Sequence, residues 1–181
     1  MKITDVRTHL IDQYMFVQVD TDEGISGVGE SGAWAFLEAS KEAVETFKRY
    51  LIGQDPLLIE HHWQYMYRCY HFRGAAIMGA LSAIDIALWD IKGRYYGVPC
   101  YELLGGKVRH KARVYYHVFG SSGEELIQGC KEAKARGFKA VGHLTPFVDS
   151  DRREVMKMES FATKISNAAE RVYQYRETIG N

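Results

Sequence analysis

A few side chains in this sequence are of a type and placement that could do chemistry. His143 lies near the end of FKAVGHLTPF (138–147), a run with strand character, and it carries a ring that titrates near neutrality. If 138–147 is a strand of a parallel sheet, His143 sits near its C-terminal end, where folds of this kind gather catalytic groups. Arg73, in HFRG (71–74), offers a planar fork of donors that matches a carboxylate or a diol in bidentate fashion. The plainer reading is an arginine paired with a helix acid or a neighbouring subunit, and the sequence weighs the two equally. Glu30 ends GVGE (27–30), either facing a site or buried against backbone amides. Gly27, Gly29 and Gly32 superficially suggest a phosphate loop, but they follow a short strand and lack the Lys-Ser/Thr pair and the strand-to-helix context of one. Trp63, Tyr65, Tyr67 and Tyr70 form an aromatic run; without a basic stripe beside it, the run reads as packing rather than as a base-stacking platform. Cys69, Cys100 and Cys130 lie about thirty residues apart, so they make neither a CxxC pair nor a disulfide framework and read as small apolar side chains in a reducing compartment.

The elements that must position these groups follow from periodicity. Residues 2–10 and 14–19, with ISGVGE after the turn TDEG, read as a three-stranded antiparallel meander. From Trp34 to Leu51 apolar residues recur at helical spacing, and 57–69 predicts a second helix. A break at 71–76 follows. Ile77, Leu81, Ile84, Leu88 and Ile91 then line one face of a long helix that Gly97 and Pro99 should stop. A short helical turn, CYELLGG, leads to a β-α-β pattern: strand 113–119, amphipathic helix 124–137, strand 138–147. A charged helix from about 151 to 179 carries Phe161, Ile165, Ala168, Val172, Tyr175 and Ile179 on one side. An α+β domain is therefore expected over 1–110, and the start of a (β/α) barrel, with two strands and two helices, over 111–181. Two parallel strands cannot cover both faces of a sheet, and an open edge invites self-association.

The 181 residues carry equal numbers of acidic and basic side chains, scattered rather than clustered. That charge pattern argues against nucleic acid and against an anionic membrane surface as partners. No stretch approaches the ~20 apolar residues of a membrane span, and the start lacks a secretory pattern. The expected location is cytoplasmic.

ALSAIDIALWDIKGRYYGVPCYELLGG (80–106) resembles the first motif of the mandelate racemase and muconate lactonizing enzyme group of the enolase superfamily. VDTDEGISGVGE (19–30), LIGQDP (51–56) and HWQYMYRCYHFRG (62–74) are similar to the galactonate dehydratase branch in order and spacing. Cys100 departs from the aliphatic residue usual there, which touches packing rather than chemistry. The resemblance implies an α+β capping domain over the open end of a TIM-like barrel. It also implies a reaction in which a base removes the proton beside a substrate carboxylate, Mg²⁺ stabilises the enediolate, and a sugar acid loses water. It places the metal-binding carboxylates on barrel strands three to five, beyond residue 181; ETIGN (177–181) resembles the turn before the third strand. No metal ligand is therefore expected among these residues, and the chain by itself is expected not to turn over.

Substrate contacts are implied for two cap loops, through Asp12, Gln13 and Tyr14 and through His71, Phe72 and Arg73. Asp85 and Asp90, within the motif, are expected to be structural contacts between cap and barrel. Related enzymes carry lysines where Gly142 and Leu144 stand, which puts the usual lysine base in doubt. Strand alternation turns His143 away from those two positions, toward the helices, unless the strand bulges. The implied partners are a small sugar acid and either identical subunits or a complementary barrel chain. A noncatalytic association module and one half of a split two-chain enzyme remain the alternatives.

Overall fold

In strand β2 (Tyr14–Thr21) buried and half-buried side chains alternate strictly, with Met15, Val17 and Val19 all inward. β1 (Ile3–Ile11) pairs with it antiparallel through a two-residue turn, Ile11 opposite Tyr14, in which Asp12 takes φ 53°, a conformation Asp tolerates. β3 (Ser26–Ser31) pairs on the other side and sets Gly27, Gly29 and Ser31 opposite Val19, Val17 and Met15. The expected meander is present. The computed structural model describes residues 1–34, 36–146 and 160–180.

Helix α1 (Leu37–Leu51) buries Leu37, Ser40, Val44, Phe47 and Leu51, and α2 (Ile59–Arg68) buries Ile59, His62 and Met66. α3 (Ala75–Tyr96) lies across β3 and buries Ala80, Leu81, Ala83, Ile84, Ala87, Leu88 and Ile91. It begins two residues earlier than the apolar stripe indicates, with Gly74 as the residue before its first turn. It ends as expected at Gly97, in the left-handed conformation (φ 68°), where the Val98 N–H bonds to the Gly93 carbonyl. The α3 surface toward β3 is built of small residues because the strand comes very close. A Cβ on Gly27 or Gly29 would collide with the Ala87 or Ala83 carbonyl. The glycines of GVGE thus serve strand-on-helix packing. A one-turn helix, α4 (Cys100–Leu103), follows.

The chain divides into two compact units, Met1–Val108 and the residues from Arg109 on. The second unit holds β4 (Tyr116–His117), α5 (Gly123–Ala135), β5 (Val141–Gly142) and α6 (Phe161–Ile179), with β4 and β5 parallel. Its core is Val118, Leu126, Cys130 and Tyr175, with Tyr116, Ile127, Val141 and Leu144 packed on it. Both strands are far shorter than the seven- and ten-residue runs expected, because only two residues of each meet the other in ladder geometry. Ser122 caps α5, accepting from the Glu125 N–H, while the Glu125 carboxylate accepts from the Ser121 N–H and hydroxyl. That bonding holds the Glu125 carboxyl below its usual range, chiefly through the Ser121 N–H. The expected helix over 151–179 is observed from Phe161; its first nine residues lie outside the described residues. Of the apolar side read for it, only Tyr175 is buried, and Phe161, Ile165 and Val172 are exposed.

Candidate functional site

In the second unit, the extended stretch 115–119 around β4 sends Tyr116 and Val118 to the helix-facing core and turns Tyr115, His117 and Phe119 to the other face, where all three are exposed. The His143 ring joins that second face. Its centroid is 4.0 Å from that of His117 and 5.6 Å from that of Phe119, and Tyr115 lies 4.8 Å from His117. The alternation argument therefore fails at His143. Val141 and Leu144 both pack on the helix-facing core, three positions apart, and His143 between them has φ 62°. A left-handed residue breaks the period-two rule, so Gly142 and His143 are displayed together. At Gly142, where related enzymes carry a lysine, the Tyr115 ring occupies the space that a Cβ would take, so a side chain there would require that ring to move.

In the first unit, the two loops implied as substrate contacts are both at the surface. The Gln13 amide donates to the Tyr14 hydroxyl at 3.1 Å, and Asp12 completes the β1–β2 turn. His71, Phe72 and Arg73 are all exposed. Within the chain Arg73 pairs with backbone rather than with a helix acid: its Nε donates to the Tyr67 carbonyl at 2.6 Å and its Nη1 to that of His71 at 3.3 Å, with the guanidinium over the Tyr67 ring. Those bonds satisfy one carbonyl in the last turn of α2 and one in the break after it, and use two of the five N–H donors of the side chain.

Glu30 is exposed, not buried, because alternation along β3 sends Gly27, Gly29 and Ser31 inward and Glu30 outward. Asp90 serves the cap itself, accepting from the Val28 N–H at 3.1 Å and from the Arg94 Nε at 3.0 Å. Asp85 lies on a groove of about 420 Å³ lined by Ile59, Glu60, Trp63, Gln64 and Trp89. Burial pushes its carboxyl upward, and the nearby Glu60 charge adds to this. The aromatic run packs within the cap, Tyr65 stacked on Tyr50 at 3.6 Å and Trp63 on Tyr67 at 4.8 Å.

His62 is a buried polar residue that the sequence reading passed over. Its Nε2 lies 2.8 Å from the Asp55 carbonyl, which can only accept, so Nε2 carries the proton and Nδ1 accepts from the Tyr50 hydroxyl at 2.9 Å. Burial lowers its pKa. The spacing of Ile59, His62 and Met66, which places it in an apolar stripe, was the available signal. The three cysteines are unpaired, and burial pushes the Cys130 thiol up. Among the described residues no group of three or more His, Cys, Asp or Glu side chains is gathered to hold a metal, and no helix is long and apolar enough to cross a membrane. A hard divalent ion such as Mg²⁺, which needs several oxygen ligands, therefore has no fitting site among them.

Residues 2–105 match the family described as mandelate racemase / muconate lactonizing enzyme, N-terminal domain. The D-galactonate dehydratases of Verminephrobacter eiseniae (strain EF01-2) and Ralstonia pickettii (strain 12J) are 39% and 41% identical to the chain over 183 aligned positions, which cover 100% of it and 46% of each of them. The chain thus spans about half the length of the curated relatives it matches. A solved structure of an enolase-superfamily member from Salmonella Typhimurium superposes with a TM-score of 0.85 at 30% identity, over 99% of this chain and 52% of that one. An enolase from Pantoea ananatis, solved with bound D-gluconate and Mg, gives 0.71 at 35% identity over 77% of this chain and 35% of that one. With its three-stranded meander, its α3 motif helix and the β-α-β that follows, the chain belongs to the mandelate racemase / muconate lactonizing enzyme family of the enolase superfamily.

Proposed function

We propose that residues 1–181 supply the cap and the first two β/α units of a Mg²⁺-dependent dehydratase acting on a sugar acid, with D-galactonate as the first substrate to test. One observation carries this reading. The alignment to the D-galactonate dehydratases spans the whole chain, β4, α5 and β5 included, rather than stopping at the cap. The reaction takes the proton from the carbon beside the carboxylate and expels the hydroxyl one carbon further on, so the product is a 2-oxo-3-deoxy acid. Mg²⁺ would supply charge stabilisation at the carboxylate, and no step through it is assigned to the residues described here.

In this reading His143 is the titratable group for proton transfer, exposed where the second strand ends. Gln13, Tyr14, His71 and Arg73 contact the substrate, and the donors Arg73 does not spend on α2 suit a carboxylate or a diol. The remaining strands come from a longer polypeptide or from a complementary chain, in a homo-oligomer, and three unpaired thiols fit a cytoplasmic setting.

The test replaces the matching N-terminal stretch of the Ralstonia pickettii enzyme with residues 1–181. The expected chimera forms the 2-oxo-3-deoxy acid from D-galactonate in a Mg²⁺-dependent reaction, with kcat/KM within about 100-fold of the parent, or ~2.7 kcal/mol in transition-state stabilisation. Residues 1–181 alone should show no turnover. A folded chimera that dehydrates no sugar acid overturns the proposal.

A further inference from the structure

We infer that His117 and His143 form a two-imidazole chelating site for a borderline divalent transition metal such as Ni²⁺ or Zn²⁺, clipping β4 to β5. The register creates the pair. His117 stands directly opposite Gly142, which has no side chain to intervene, and the left-handed turn at His143 brings the next ring over His117. The centroids are 4.0 Å apart and the planes inclined by 44°. Two imidazole nitrogens on one tetrahedral ion lie about 3.3 Å apart and the ring centroids about 5 Å apart, since each metal–nitrogen bond is ~2.05 Å, so binding requires the two exposed side chains to swing their rings apart by about 1 Å from the present stack.

Both rings are exposed, which gives an ion free entry, and neither has a hydrogen-bond partner among the described residues that it must give up. The donor set decides the metal. Two neutral nitrogens with no carboxylate suit Ni²⁺, Zn²⁺ or Cu²⁺, not the hard Mg²⁺. Phe119 and Tyr115 flank the pair, leaving the ion's open positions to water or an anionic ligand. The site uses the chain as it stands and does not depend on the proposed dehydratase reaction.

Calorimetric titration of the chain with Ni²⁺, with Mg²⁺ in parallel, tests it. Ni²⁺ is preferred over Zn²⁺ because the partly exposed Cys69 and Cys100 would draw the softer ion. The expected result is saturable binding of one Ni²⁺, no response to Mg²⁺, and a Ni²⁺-dependent rise in Tm. H117F keeps the ring contact but removes the donor, and H143N keeps a side chain that accepts the left-handed backbone. Each should weaken binding at least tenfold and abolish the rise in Tm, whereas H110N should leave both unchanged. Absence of saturable binding up to about 1 mM Ni²⁺, or binding that H117F and H143N leave within twofold, overturns the site and leaves the pair as ring packing only.

Discussion

His62 shows how a single side chain ties elements together. Its ring joins α1, through Tyr50, to the Asp55 turn ahead of α2, and it can do so only when neutral, with one nitrogen accepting and one donating. Its folded pKa lies below the ordinary value because burial disfavours the charged ring. The sign follows from proton binding. Below about pH 6.5 the unfolded chain takes up the proton and the folded chain resists it, so stability is full above that pH and falls as the pH drops toward the folded pKa. Urea unfolding at pH 7.5 and 5.5 should show a loss from this group of at most about 1.4 kcal/mol. H62Q, which can donate to Asp55 and accept from Tyr50 without titrating, should be less stable at pH 7.5 and should lack that part of the loss. An equal loss in both proteins would refute the assignment. The spacing of Ile59, His62 and Met66 could have marked His62 as buried, but its partners Asp55 and Tyr50 belong to the turn and helix before α2, and no periodicity within α2 reveals them. His143 was visible as a candidate at a strand end, yet its orientation was not, because one left-handed residue overrides the alternation on which the reading rested.

The elements of the cap were legible because each carries its period openly: alternation in β2, the 4-3-4-3 stripe of α3, and a glycine and a proline to stop it. The strands of the second unit were overread. Apolar and aromatic content from 113 to 119 signals extended chain, but a ladder also needs a partner at the right spacing, and only Tyr116–His117 finds one. The glycines of β3 were legible as residues but not in purpose, because the need for them lies in α3, more than fifty positions away. That need is measurable. G29A places a methyl group against the Ala83 carbonyl, backbone that cannot yield without moving α3, and should cost about 1–3 kcal/mol in urea unfolding. Nothing lies within 4 Å of a Cβ on Gly32 in the same stretch, so G32A should stay within about 0.5 kcal/mol of the parent. Equal midpoints for the two variants would show that close packing on α3 is not what β3 requires.

At the scale of the whole chain, the two units are unequal. The cap buries a continuous core from β1, β2 and three helices, including Val6, Val17, Val44, Leu81, Ile84 and Leu88. Among the described residues the second unit gathers a core cluster of four side chains beneath a two-residue ladder and leaves Tyr115 and Phe119 at 53% and 74% exposure on its other face. Apolar area removed from water is the main favourable term in folding, so the second unit should open at lower free energy than the cap. Hydrogen exchange should find the amides of β4 and β5 less protected than those of β2 and α3 by about 2 kcal/mol or more, roughly 30-fold. The same exposed face and the outer edges of β4 and β5, which pair with no other strand among the described residues, form a surface that another strand could complete. Light scattering of residues 1–181 should therefore show mass rising with concentration, and Y115K with F119K should reduce it by placing charge on that face while leaving Val118 and the helix-facing core intact. A compact monomer at about 100 μM, or association that the two lysines leave unchanged, would show that this face is not the source of self-association.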